Sequence, residues 1–195
     1  MRLDAPEAAL PALDEFYGER LGLAGGRVGA TRLEFRPAAG EPFYHFALLA
    51  PGNRFEAAFE WLGQRVELLP NRESGEVVFD FSFWDALACY FHDPAGNIVE
   101  LIAHRGVGET VAGGAFSGAE LLGLSELGLV GDPRALAREL EPAGLTVWDG
   151  TVEEGRLAFV GERARTLILA PEGRPWLPTG RPAEAHDLEV VVTGV

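Results

Sequence analysis

No lysine occurs anywhere in the chain, and all 16 of its basic residues are arginines. Schiff-base chemistry and a Walker-type phosphate loop both depend on a lysine amine, so both are excluded. Cysteine is almost as scarce. Cys89 stands alone, without a partner for a disulfide or companions for a zinc knuckle, which suits a reducing compartment and predicts a small core residue. No apolar run reaches membrane-spanning length, and the first residues lack the basic, apolar and small-residue succession of a signal peptide, so the expected location is cytoplasmic. Clustered cations are missing too. With 30 acidic residues and a net charge of −14, the chain is unsuited to nucleic-acid backbones and anionic membranes. That charge serves either solubility or attraction of a cationic ligand, and composition does not separate the two. What the chain does have is a 47% hydrophobic share over 195 residues, enough to build one large or two small domains.

The organising stretch is Ala88 to His104. Two apolar, β-prone runs flank Asp93-Pro94-Ala95-Gly96-Asn97, the pattern of a β-hairpin. Asp93 can bond into the turn, Pro94 presets φ and Gly96 accepts a positive φ. Glu100 breaks the second run. Burying even a neutral polar group without a partner costs on the order of 2–7 kcal/mol, so this carboxylate needs water, a proton, a counter-charge or a metal ion.

Before the hairpin, Leu10, Leu13, Phe16, Tyr17, Leu21 and Leu23 recur at helical spacing and stop at glycines, predicting an amphipathic helix. Val28 to Arg36 reads as one or two strands, with Gly29 at a bend or hairpin. Phe43 to Ala50 reads as a strand, followed by a second helix from Phe55 with Asn53 as its cap. Short strands follow at Val66 to Leu69 and within Phe79 to Trp84. Strand, helix and strands thus occur twice before residue 106. Gly106 to Gly118 is glycine-rich, and a third cycle follows: strand Leu124 to Val130, a helix from Pro133 capped by Asp132, then strands at Leu145 to Trp148, Arg156 to Val160 and Thr166 to Ala170. His45-Phe46-Ala47-Leu48 aligns with Glu126-Leu127-Gly128-Leu129 as openings of two cycles. Leu188 to Val192 looks like the opening strand of a fourth. Internal repetition is the strongest feature of the chain.

Three segments carry a family resemblance: Phe16-Tyr17-Gly18-Glu19-Arg20-Leu21-Gly22-Leu23, Tyr44-His45-Phe46-Ala47, and above all Tyr90-Phe91-His92-Asp93-Pro94-Ala95-Gly96-Asn97-Ile98-Val99-Glu100-Leu101. They resemble the vicinal oxygen chelate superfamily, which includes glyoxalase I, extradiol ring-cleaving dioxygenases, and fosfomycin- and bleomycin-resistance proteins. The resemblance implies an α+β fold of repeated βαβββ modules, two of them curving into a cup for a divalent metal and a small ligand. On this basis residues 1–105 form the paired modules of the cup, 106–122 a Gly-rich linker, and 123–195 a third module plus one strand of an incomplete fourth. Metal ligands in relatives come from the first strand of one module and the first and last strands of its partner. Carried over, the latter two are His45 and Glu100, while the first falls on Arg2, which cannot ligate a cation.

Strand parity leaves two outcomes open. Asp4 shares a face with Arg2, and His104 shares one with Glu100. Either could complete a set with His45 and Glu100 suited to Mn, Fe(II), Zn or Ni. Alternatively, the Arg2 guanidinium pairs with Glu100 and no metal is needed. Tyr90 is the expected substrate contact and, with Glu100, a catalytic candidate. His104 is a second candidate for proton transfer, and Trp84 either covers the mouth of the cup or packs within the fold. His92 reads as a surface or turn-capping residue, and Glu126 with His186 or Glu189 stands where a degraded second site would lie, though each reads first as an ordinary surface or strand-edge residue. The implied function is that of a glyoxalase- or ring-cleaving-dioxygenase-like protein polarising adjacent oxygens of a small substrate. The alternative is a metal-free, bleomycin-resistance-like binder of a cationic ligand. The unfinished fourth module leaves an edge strand through which a homodimer could form.

Overall fold

The computed structural model describes residues 1–153 and 155–191. The first module contains β1 (Arg2–Pro6), α1 (Leu10–Asp14, continued by a π-helical segment Glu15–Arg20), a hairpin of β2 (Arg27–Val28) and β3 (Thr31–Arg32), and β4 (Glu34–Ala38). The second contains β5 (His45–Ala50), α2 (Phe55–Gly63), β6 (Leu68–Leu69), β7 (Phe79–Phe81), β8 (Ala86–His92) and β9 (Ile98–His104). The third contains β10 (Gly123–Val130), α3 (Pro133–Leu140), β11 (Val147–Gly150), β12 (Ala158–Glu162) and β13 (Arg165–Ala170). β14 (Leu188–Glu189) follows; the last residue of its expected span, Val192, lies outside the described residues. This is the α+β architecture of repeated βαβββ modules. Among the described residues no helix is long and apolar enough to cross a membrane.

The modules do not pair in chain order. One large curved sheet runs β11-β12-β13-β10-β5-β9-β8-β6, with β7 also on β8, while β14-β1-β4 form a separate small sheet. The expectation that residues 1–105 close one cup is therefore corrected: the second module joins the third through antiparallel β5 and β10, and β1 joins β14. Burial gives the reason. β5 is buried along its whole length, so it needs sheet neighbours on both edges and cover on both faces. β10 can supply such a neighbour. β1 alternates polar Arg2 and Asp4 with buried Leu3 and Ala5, so it can bury one face only.

Strand parity divides the core. Phe46, Leu48, Phe91, Val99 and Leu101 face a convex-side cluster shared with Leu13, Phe16 and Tyr17 of the first helix. Ala47, Leu49, Ala88, Tyr90, Ile98 and Ile102 face the concave side with Ile168 and Trp176. α3 is capped as its sequence requires, with the Arg134 N–H donating to Asp132. α2 is not: Asn53 exchanges hydrogen bonds with the backbone of Thr110 instead, anchoring the glycine-rich segment.

The β8–β9 turn is a buried polar knot. Asp93 accepts from the Ala95 and Asn97 amides at 2.9 and 3.0 Å, from the Asn97 side chain at 2.8 Å and from the Tyr17 hydroxyl at 2.8 Å. Asn97, fully buried, also accepts from the Tyr44 amide at 2.8 Å, which fixes the entry to β5 one residue before His45. Asn97→Ala would strand the Tyr44 N–H and take one of two hydrogen bonds from Asp93 Oδ2, which keeps that of Tyr17. A loss of roughly 2–4 kcal/mol is expected, measured by urea unfolding.

Candidate metal centre

β5 and β9 run parallel with His45 beside Ile98 and Ala47 beside Glu100. The odd residues of β5 and the even residues of β9 therefore share the concave face. The His45 Nδ1–H donates to the Ile98 carbonyl at 3.1 Å. A carbonyl only accepts, so this bond fixes the tautomer and leaves the Nε2 lone pair free. That Nε2 lies 3.6 Å from Glu100 Oε2. Across the sheet, β10 contributes Glu126. Its register with β5 slips between Leu124 and Glu126, a bulge of the kind that re-aims side chains at functional sites. Ligand atoms of His45, Glu100 and Glu126 all lie within 4.8 Å of one another, so small side-chain rotations inward would let bonds of about 2.1 Å converge on one ion.

The electrostatics of this cluster favour a cation. His45, Glu100 and Glu126 are all buried. Burial raises the Glu100 pKa well above its ordinary value, reinforced by the charge of Glu126 and offset in part by Tyr90. Burial also pushes Glu126 up to about 7 and His45 down to about 4. Glu100 Oε1 is buried with no hydrogen-bond partner among the described residues, an arrangement that proteins rarely tolerate without an ion or water. A neutral imidazole and two carboxylates would together balance a divalent charge. The residues present thus fit the metal that the resemblance implies.

Other expected site residues are dispersed. Tyr90 is on the concave face, directly opposite Glu100 in the β8–β9 ladder, its ring 6.2 Å from His45. Arg2 does not reach Glu100; it is exposed in the small sheet and binds Glu34 at 2.7 Å and Glu189 at 3.1 Å. Asp4 pairs there with Arg36. Both placements in the cup are corrected, because β1 lies in the other sheet. His104 faces the same side as Glu100, but four residues away, roughly 13 Å along a strand, and it bonds Ser125 Oγ at 3.3 Å. Trp84 packs within the fold, 4.6 Å from Phe159 and 5.3 Å from Trp148 by ring centroids. Glu126, read from sequence as an ordinary residue, is the third member of the cluster. Its alignment with His45 in the repeat was the signal that could have found it. The same register equates Glu100 with Ile168, which sits beside Gly128 on β13, so the fourth corner of the pseudo-symmetric site is apolar.

No protein-family model and no curated protein matches the sequence. Solved structures do match in fold. A protein assigned as a dioxygenase from Bacillus subtilis superposes with a TM-score of 0.56 at 18% identity, covering 95% of this chain and 65% of that one. A mutant form of glyoxalase I from Zea mays gives 0.51 at 14% identity, covering 87% and 67%. The chain thus spans about two thirds of the length of these two structures. Its paired βαβββ modules are the fold of the vicinal oxygen chelate superfamily, to which its motifs bear their resemblance.

Proposed function

We propose that the chain is a metal-dependent enzyme of glyoxalase or ring-cleaving dioxygenase type, acting on a small molecule with adjacent oxygens. The observation that carries this is the convergence of His45, Glu100 and Glu126 in a buried cluster, with no arginine paired to either carboxylate among the described residues. Mn, Fe(II), Ni and Zn all suit one imidazole and two carboxylates. Such an ion, when bound, supplies Lewis-acid polarisation of a substrate oxygen. The chain's own residues do the rest. Ile98 orients the imidazole, the apolar concave face limits water, and Tyr90, whose pKa burial pushes well up, keeps its proton and serves as a hydrogen-bond donor to substrate. The metal-free alternative draws only on net charge.

Dialysis against each metal followed by elemental analysis should find one ion per chain in the wild type and none in His45→Ala. A wild type that retains no ion from Mn, Fe(II), Ni or Zn would sink the proposal.

A further inference from the structure

Trp176 covers the cluster on the His45 side. Its indole is buried and lies 4.9 Å from the His45 ring, tilted by 42°. It rests on Gly128, where an added Cβ would stand 2.8 Å from Cη2 and 2.9 Å from Cζ2. The space left among His45, Gly128, Trp176 and His186 is a cavity of about 10 Å³, barely room for one water.

The segment that carries Trp176 is a self-contained hairpin. Pro175 bridges Pro182, and the backbone bonds Trp176 N–H to Arg181 O, Gly180 N–H to Trp176 O, Ala183 N–H to Arg174 O and Gly173 N–H to Ala183 O all close within it. Its polar ties to the cup, among the described residues, are slight. Arg72 donates to Thr179 O at 3.1 Å and Arg181 to Gly96 O at 3.4 Å, with the Arg181 guanidinium 3.3 Å over the Phe43 ring. None of these is an ion pair. Residues 173–183 can therefore leave the cup with their internal bonds intact, surrendering two hydrogen bonds, one cation–π contact and the burial of Trp176, Pro178 and Ala183.

The geometry points to residues 173–183 acting as a lid that lifts as a unit, with Trp176 as the plug that a substrate displaces. This rests on the metal-centre reading for what lies beneath the lid. A closed resting state lowers apparent affinity by the open fraction, so loosening the plug should speed entry. Gly128→Ala should unseat the indole by steric conflict, and Arg181→Ala should free the hairpin tip.

The test combines stopped-flow Zn(II) association with hydrogen exchange. Both variants should bind Zn(II) at least tenfold faster than the wild type, and so should Trp176→Ala. In the wild type the amides of Gly173, Trp176, Gly180 and Ala183 should exchange together and ahead of those of β5, β9 and β10. Unchanged association rates in folded variants, or hairpin amides that exchange only with global unfolding, would overturn the lid. Failure of the wild type to bind Zn(II) would overturn the metal centre instead, and hydrogen exchange would then decide the lid by itself.

Discussion

Glu126→Gln is expected to abolish divalent-metal binding and, in the same molecule, to make the metal-free chain more stable. The first effect follows from the donor set. Losing an outer partner of a ligand already costs 10–100-fold in affinity, so losing one of three ligands should exceed about 100-fold by calorimetry. The second follows from burial. The unfolded Glu126 carboxyl ionises near 4.5, but the folded one is pushed up to about 7, so at pH 8 the fold carries an ionised carboxylate that it disfavours. Removing it should contribute on the order of 1–3 kcal/mol, reduced by the cost of burying the glutamine amide. For a chain of this size that is about 2–4 °C in Tm per kcal/mol. Arg2→Ala serves as the contrast. Its guanidinium is exposed and bound to Glu34 and Glu189, so neither metal affinity nor the Glu126→Gln effect should change. Were the two carboxylates held by a counter-charge, Glu126→Gln would destabilise the protein.

The hairpin could be read from sequence because each of its signals is local: the Asp93 bonds, the positive φ of Gly96 at 78° and the alternation around them all lie within a few residues. The meeting of His45 and Glu100 was legible for a related reason, since first and last strands of one module lie side by side. The partner of that module was not. Which edge of β5 accepts which strand is decided by burial of whole faces, and β1 and β10 open their modules with similar strand patterns. Counting modules in chain order therefore set Arg2 at the third corner, where the structure has Glu126. The bulge at Ser125 added to the difficulty, because it turns Ser125 and Glu126 toward the same side and breaks the alternation that a strand pattern assumes. Trp176 gave no signal at all. It lies among prolines and glycines without periodicity, and its place over Gly128 is fixed only by the assembled cup.

Raising the pH of the metal-free protein from 6 to 8 is expected to destabilise it by roughly 1–3 kcal/mol, and saturating Mn(II) to remove that decline. Glu100 and Glu126 are both raised from 4.5, chiefly by burial. The folded chain thus holds protons that the unfolded chain has released, and stability falls as pH rises above 4.5. His45 and His104 act in the opposite direction. Burial lowers both from 6.5 to about 4, so their contribution is complete above 6.5 and is lost as pH falls toward 4. The two effects oppose each other between 4.5 and 6.5, leaving the carboxylates to govern the range above. Tyr90, which faces Glu100 from β8, keeps its proton throughout. A bound cation takes the place of the carboxyl protons, so metal-linked stability must grow with pH as those protons become easier to displace. Urea midpoints at pH 6, 7 and 8 in EDTA and in excess Mn(II) should therefore diverge. Metal-free stability that stays level or rises to pH 8 would mean that both carboxylates are ionised and partnered within the fold, leaving no place for an ion. A decline that Glu126→Gln largely removes would trace the effect to this cluster.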